Sequence, residues 1–299
     1  MPVPMVGRTA ERKEIVRAWS QLDGSGPRTV VITGAQGIGK SRLVSAVVGE
    51  LGPKATVVLS GAARLHSPAP YDWLASILSR HPAPELSIPA DALAWLAQDS
   101  LVPAQRYAPG ALLRLACRAV HELVGGGPAI LVVEDLHALD PASLSLVAEL
   151  AGDPTLAAML LVTSLPARHG LVARTLARLS GSAGAVRQHL GPLGPAEVAE
   201  IAPPGLAEDL LARSKGNPYR LSELLAALPA ALTAREQEVL SFLAAGMSNK
   251  EMARSMGISI RTVAVHVSNV LRKTGNTSRT AAAVWAAARL TGSRADTAG

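Results

Sequence analysis

The segment Gly34-Ala35-Gln36-Gly37-Ile38-Gly39-Lys40-Ser41 follows directly on the apolar run Thr29 to Thr33 (TVVIT) and fits the pattern G-x-x-x-x-G-K-[ST]. It leaves few folds open to the chain. A strand must end, the backbone must turn tightly, and a helix must begin with its first N–H groups aimed at one point. A sheet that sends a helix out after each strand meets those demands. The same geometry binds phosphate, because unpaired N–H groups and the helix dipole both favour an anion. Gly34, Gly37 and Gly39 let the backbone close around it, Lys40 reaches the β- and γ-phosphates of a nucleotide, and the Ser41 hydroxyl takes Mg²⁺.

Ala55 to Ser60 (ATVVLS), Ala129 to Val133 (AILVV), Met159 to Thr163 (MLLVT) and Ala185 to Leu190 (AVRQHL) read as further short strands. All but the last lack polar alternation, which predicts a parallel sheet covered on both faces and built from βαβ units. The chain is 48% hydrophobic but only 3% aromatic, so Ala, Leu and Val must fill the core. That excludes disorder and favours helices over an aromatic sandwich. Strand signals stop at Pro192, and Pro195 to Ile201, Leu206 to Ser214 and Tyr219 to Leu228 read as three helices of a small annex.

The run Ala129 to Val133 delivers Glu134 and Asp135 at its C-terminal end, where α/β sheets bind ligands. By register Glu134 is expected to hold Mg²⁺, and Asp135 to polarise an attacking water; both are the candidate catalytic carboxylates. Cys117 has no thiol partner and no Cys/His cluster suggests zinc, so a reducing cytoplasmic setting is expected. Charge appears by residue 8, and the most apolar run ends in two acids, so neither export nor membrane insertion is expected.

The net charge of +6 is uneven: residues 230–299 hold nine Lys/Arg against four Asp/Glu, so +5 of it lies there. Such asymmetry points to a polyanion. Helix punctuation is also clear in this stretch. Thr233 with Glu236 and Ser248 with Glu251 form capping boxes, Gly246 and Gly257 stand at helix ends, Ser259 caps a third helix ending near Gly275, and Ser278 a fourth. The second and third helices, joined at Gly257-Ile258, read as a helix-turn-helix. Val263, Val267, Val270 and Leu271 form the third helix's core stripe. The remaining face carries Arg261, Thr262, Ala264, Val265, Ser268, Asn269 and Arg272. Arg261 and Arg272 suit guanine or phosphate, Asn269 suits adenine, and Val265 a thymine methyl. Lys250, Arg254 and Lys273 suit backbone phosphates. His266 either contacts phosphate or packs at the domain edge.

Val6-Gly7-Arg8, the loop at 34–41, Glu134-Asp135-Leu136-His137-Ala138-Leu139-Asp140 and Gly216-Asn217-Pro218 together resemble the AAA-related, STAND-type ATPase module of LuxR-family bacterial regulators. The stretches around Thr233, Ser248 and Ile258 to His266 closely resemble the LuxR-type DNA-binding domain. The resemblance implies an α/β P-loop NTPase sheet over residues 1–190, a helical lid over 191–228 and an all-α four-helix domain over 230–292, with Pro229-Ala230-Ala231 as spacer. It places Gly7 and Arg8 near the adenine and brings Pro218 over the nucleotide. It implies ATP and Mg²⁺ as cofactors, double-stranded DNA as partner and a homodimer formed through the last helix, Arg279 to Leu290. The sequence departs from the family in three places: Glu134 stands where Asp is usual, Ala264 where Lys is common, and Thr163-Ser164-Leu165-Pro166 carries no sensor Arg. An arginine finger is worth about 10³ or more in rate, so ATP binding with slow or absent turnover is expected. Two other readings of the same residues stay open: a constitutive DNA binder with a structural α/β scaffold, and an ATPase whose C-terminal helices bind protein.

Overall fold

The computed structural model describes residues 5–22, 26–62, 69–81, 86–98, 107–182, 184–203, 205–227, 232–274, 276 and 278–292. The chain divides into two compact units, Met1–Ser222 and Glu223–Gly299. The expected spacer at 229–231, together with Leu228 and Gly275, lies outside the described residues.

The first unit runs α1 (Thr9–Ser20), β1 (Arg28–Gly34), α2 (Lys40–Leu51), β2 (Val57–Gly61), α3 (Asp72–Leu78), α4 (Ala90–Leu96), α5 (Pro109–Val124) and β3 (Ala129–Val133). It continues with α6 (Pro141–Leu150), β4 (Ala158–Ser164), α7 (Gly170–Gly181), β5 (Val186–Leu190), α8 (Pro195–Ile201), α9 (Ala207–Ser214) and the start of α10 (Pro218–Ala227). The strands form one parallel sheet in the order β2-β3-β4-β1-β5. β4 thus lies between the strand that feeds the phosphate loop and the strand that delivers the two acids.

Successive side chains of a strand point to opposite faces, and here both faces are covered. Val30, Ile32, Ile130, Val132, Met159 and Leu161 pack with Ile15 of α1 and Leu43 and Val47 of α2. Val31, Leu131, Val133, Leu160 and Val162 pack on the other side with α3, α5, α6 and α7, where Trp73, Val120, Leu146 and Leu179 are fully buried. Every residue of β3 and β4 is buried, which is why neither shows polar alternation. β5, at the sheet edge, alternates, with Arg187 and His189 exposed and Gln188 and Leu190 buried.

Asp140 holds the far side of the sheet together. Its carboxylate accepts from the N–H groups of Ala142 and Ser143 at the start of α6, each at 2.9 Å. It also accepts from Tyr71 at 3.1 Å and Asp72 at 3.2 Å, at the start of α3. One buried anion therefore satisfies the orphan donors of two helix N-termini. The Trp73 indole N–H adds a bond to the Val132 carbonyl at 3.0 Å, tying α3 to β3.

The second unit holds α11 (Ala234–Ala244), α12 (Asn249–Met256), α13 (Ile260–Thr274) and α14 (Arg279–Gly292). Both capping boxes are formed: Thr233 with Glu236, and Ser248 with Glu251. Ser259 Oγ accepts from Thr262 N–H at 3.1 Å and Ser278 Oγ from Ala281 N–H at 3.1 Å. Val263, Val267 and Val270 of α13 are buried against Val239, Leu243, Met252 and Met256, with Leu271 packed at their edge. Among the described residues no helix is long and apolar enough to cross a membrane.

Candidate functional site

β1 runs into the loop at Gly34, and α2 begins at Lys40 with Gly39 as its N-cap. Gly37 has φ 73°, and a Cβ there would lie 2.7 Å from Cβ of Tyr219, so the loop tolerates no side chain beneath the lid. Lys40 is 7% exposed and its Nζ donates to the carbonyls of Gly34 and Ala35, both at 3.0 Å. Burial pulls its pKa below the usual lysine value, and the charge of Asp135 partly offsets that pull.

Glu134 and Asp135 follow β3 directly, the first half-buried and the second exposed. Asp135 is left-handed (φ 49°, ψ 52°), a conformation Asp reaches more readily than most residues, and its N–H donates to Thr163 Oγ1 of β4 at 3.0 Å. Ser41 acts on Glu134, whereas the exposed Asp135 acts on Lys40. Burial raises the Glu134 pKa above the usual carboxylate value, with the Asp135 charge adding to the rise and the Ser41 hydroxyl opposing it.

The segment Gly216-Asn217-Pro218 docks on the loop. Gly216 has φ 69°, and a Cβ there would stand 2.3 Å from the Leu193 carbonyl oxygen, while the Leu193 N–H donates to Gly216 O at 2.8 Å. Asn217 Nδ2 donates to Gln36 O at 2.9 Å. Its Oδ1 accepts from the N–H groups of Tyr219 at 3.0 Å and Arg220 at 3.2 Å, capping α10. The Tyr219 N–H also donates to Gly37 O at 3.1 Å. Helix start and phosphate loop are therefore one hydrogen-bonded structure.

These elements enclose a cleft of about 470 Å³, a size suited to a small-molecule ligand. Gly37, Gly39, Lys40, Ser41, Asp135, Arg8 and Pro218 line it, as does His137. Met5, Val6, Leu193, Ile201 and Tyr219 supply its apolar wall. Gly7, Gly34 and Glu134 are not among the residues that line it. Gly7 (φ 69°) packs on the Glu197 carboxylate, and Gly34 contributes its carbonyl to Lys40. Arg8 is held by Glu11 at 3.2 Å and by the Gly191 carbonyl.

Sequence reading gave no role to Asn217, although a polar residue before Pro218 is a readable N-cap. Tyr219 and Arg42, which also line the cleft, had no such signal. Arg168 and Arg174 are exposed, and Arg178 pairs with Glu149 at 3.1 Å on the surface.

In the second unit Arg261, Thr262, Ala264, Val265, Ser268 and Arg272 are exposed along α13, and His266 and Asn269 are half-buried. Lys250 and Arg254 are exposed on α12. Lys273 differs from the expectation. Its amine lies 2.6 Å from Glu236 Oε2, with the two side chains 16% and 5% exposed, so its charge is committed inside the domain rather than to the outward face. Lys273 and the Thr233 N–H hold the Glu236 pKa down to about 2.

Residues 4–162 match the AAA ATPase domain family, which is more than half of the 299 residues. The chain belongs to that family. Residues 230–286 match the luxR family of bacterial regulatory proteins, so a luxR-family domain follows the AAA ATPase domain. The transcriptional regulatory protein LiaR of Bacillus subtilis (strain 168) is 37% identical over 94 residues, covering 27% of this chain and 44% of LiaR. The response regulator protein VraR of Staphylococcus aureus is 47% identical over 55 residues, covering 18% of this chain and 26% of VraR. The chain thus spans less than half the length of these curated relatives. The solved Orc1 protein of Aeropyrum pernix, in complex with DNA, superposes with a TM-score of 0.54 at 15% identity, covering 90% of this chain and 84% of that one. At that identity the likeness concerns the fold of the AAA ATPase domain and its neighbours, not their ligands.

Proposed function

We propose that this chain is an ATP-binding transcription regulator in which residues 1–190 hold ATP with Mg²⁺, residues 191–228 cover the nucleotide, and residues 230–292 bind double-stranded DNA. The observation that carries the reading is the docking of Asn217 and Tyr219 on the carbonyls of Gln36 and Gly37. A ligand that reorders the phosphate loop must act on the start of α10, the helix that leads towards the DNA-binding end.

The residues present fit the nucleotide. Lys40 bonds two neutral carbonyls, contacts it can exchange for phosphate oxygens. Ser41, at the start of α2, and Glu134, directly after β3, would hold Mg²⁺. Bound Mg²⁺ supplies charge neutralisation at the phosphates. Asp135, the exposed carboxylate of the pair, orients water; without an arginine at the end of β4, turnover is slow and binding rather than hydrolysis sets the state.

On DNA, Arg261 and Arg272 reach guanine or phosphate, Asn269 adenine and Val265 a thymine methyl, with Thr262, Ala264, His266 and Ser268 completing the face and Lys250 and Arg254 gripping phosphates. A single helix-turn-helix reads few base pairs, so two copies paired through α14 act on two half-sites in the cytoplasm. Calorimetric titration with Mg·ATP, set beside a salt series of binding to duplex DNA, tests both halves. The proposal expects saturable ATP binding that Lys40→Ala weakens, and DNA affinity that falls steeply with salt. ATP binding unchanged in Lys40→Ala, or no salt dependence, overturns it.

A further inference from the structure

His137 lies in the 3-10 turn Leu136–Ala138 that follows the two acids, and it lines the cleft with Lys40, Ser41 and Asp135. Its ring is fixed from behind: Nδ1 accepts from the N–H of Leu165, the first residue after β4, at 3.3 Å. A ring nitrogen that accepts keeps its lone pair, so the proton of the neutral imidazole sits on Nε2. Asp135 Oδ1 lies 4.0 Å from the same Nδ1, beyond hydrogen-bond range. What His137 has to offer a ligand is a single N–H donor on Nε2.

The position of that donor along the cleft follows from its neighbours. Leu165, which holds the ring, follows Ser164, the β4 residue paired with Thr33 at the end of β1, just before the phosphate loop, so the ring is held at the loop's end of the sheet. In a phosphate loop the lysine end is the β/γ end. The strand end that braces the ring reads Thr163-Ser164-Leu165-Pro166 and brings no charged donor of its own.

We infer that His137 donates its Nε2–H to the terminal phosphate and is the residue by which this site distinguishes a nucleoside triphosphate from a diphosphate. The inference rests on the nucleotide reading above and deepens it. A diphosphate leaves the donor without its acceptor, so His137 contributes to the affinity of one ligand and not the other. Leu165 then connects that contact to the end of β4, the strand between the two halves of the site.

Two substitutions separate this role from a merely structural one. In His137→Asn the side-chain oxygen takes the place of Nδ1 and keeps the Leu165 bond, but nothing reaches where Nε2 was. In His137→Gln the amide N–H reaches the Nε2 position. The full chain is titrated calorimetrically with Mg²⁺ and either the β,γ-imido analogue of ATP or ADP, for wild type, both variants and Lys40→Ala. The expected result is an affinity for the analogue about tenfold or more lower in His137→Asn, one hydrogen bond to a charged group being lost, with ADP affinity unchanged and the preference largely restored in His137→Gln. Equal loss for both nucleotides, or unchanged triphosphate preference in His137→Asn while wild type binds and Lys40→Ala binds more weakly, overturns the role of His137 alone. No nucleotide binding by wild type overturns the site reading and this inference together.

Discussion

Two lysines, Lys40 and Lys273, both read in the sequence as partners for phosphate, meet opposite fates. Lys40 is 7% exposed and bonds only the neutral carbonyls of Gly34 and Ala35, with burial lowering its pKa. Lys273 is 16% exposed and paired at 2.6 Å with Glu236, whose pKa it holds down to about 2. A cation resting on carbonyl dipoles can exchange them for a stronger anion, whereas one facing a carboxylate at this distance already has it. The first lysine is kept for a ligand. The second fastens α13 to α11.

The comparison is broken most directly by removing each charge. Lys40→Ala should weaken Mg·ATP binding by about 10- to 100-fold, the loss of hydrogen bonds to a charged group, with little change in thermal midpoint, as read by calorimetry and a melting curve. Lys273→Ala should do the reverse: it leaves a buried carboxylate unpaired, so the thermal midpoint of the helical unit falls by several degrees while ATP affinity holds. If Lys273→Ala melts like wild type, the pair is not structural.

Acid sharpens the same contrast. Glu236 has a folded pKa below its ordinary value, so its contribution is complete above pH 4.5 and is lost as the pH falls through about 2. The helical unit of Lys273→Ala should lose that part of the dependence, as measured by urea midpoints across this range. Asn217→Ala, which frees the lid from Gln36 and removes the α10 cap, should lower ATP affinity by about tenfold or less. The smallest effect is on DNA: Arg272→Ala should reduce the salt slope of binding by about 1, and Lys273→Ala should not.

What was legible in the sequence was local. The loop at 34–41 is a contiguous pattern, β3 and β4 are unbroken apolar runs because both faces are covered, and the two capping boxes close within three residues. What was not legible spans the chain. Asp140 caps α3 some seventy positions upstream, Asn217 reaches Gln36 across 181, and Lys273 meets Glu236 across 37. Each of these bonds exists only once whole elements have docked, and a side chain's type does not say which anion or carbonyl packing will bring to it. The two acids show both sides: their place directly after β3 was readable, but the left-handed backbone of Asp135 was not.

The affinity of the full chain for one duplex operator, measured with Mg·ATP, with Mg·ADP and without nucleotide, tests the account at its centre. The dissociation constant should differ between the ATP and ADP states in wild type, and that difference should vanish in Lys40→Ala. One value shared by all three states in the wild-type protein would contradict it.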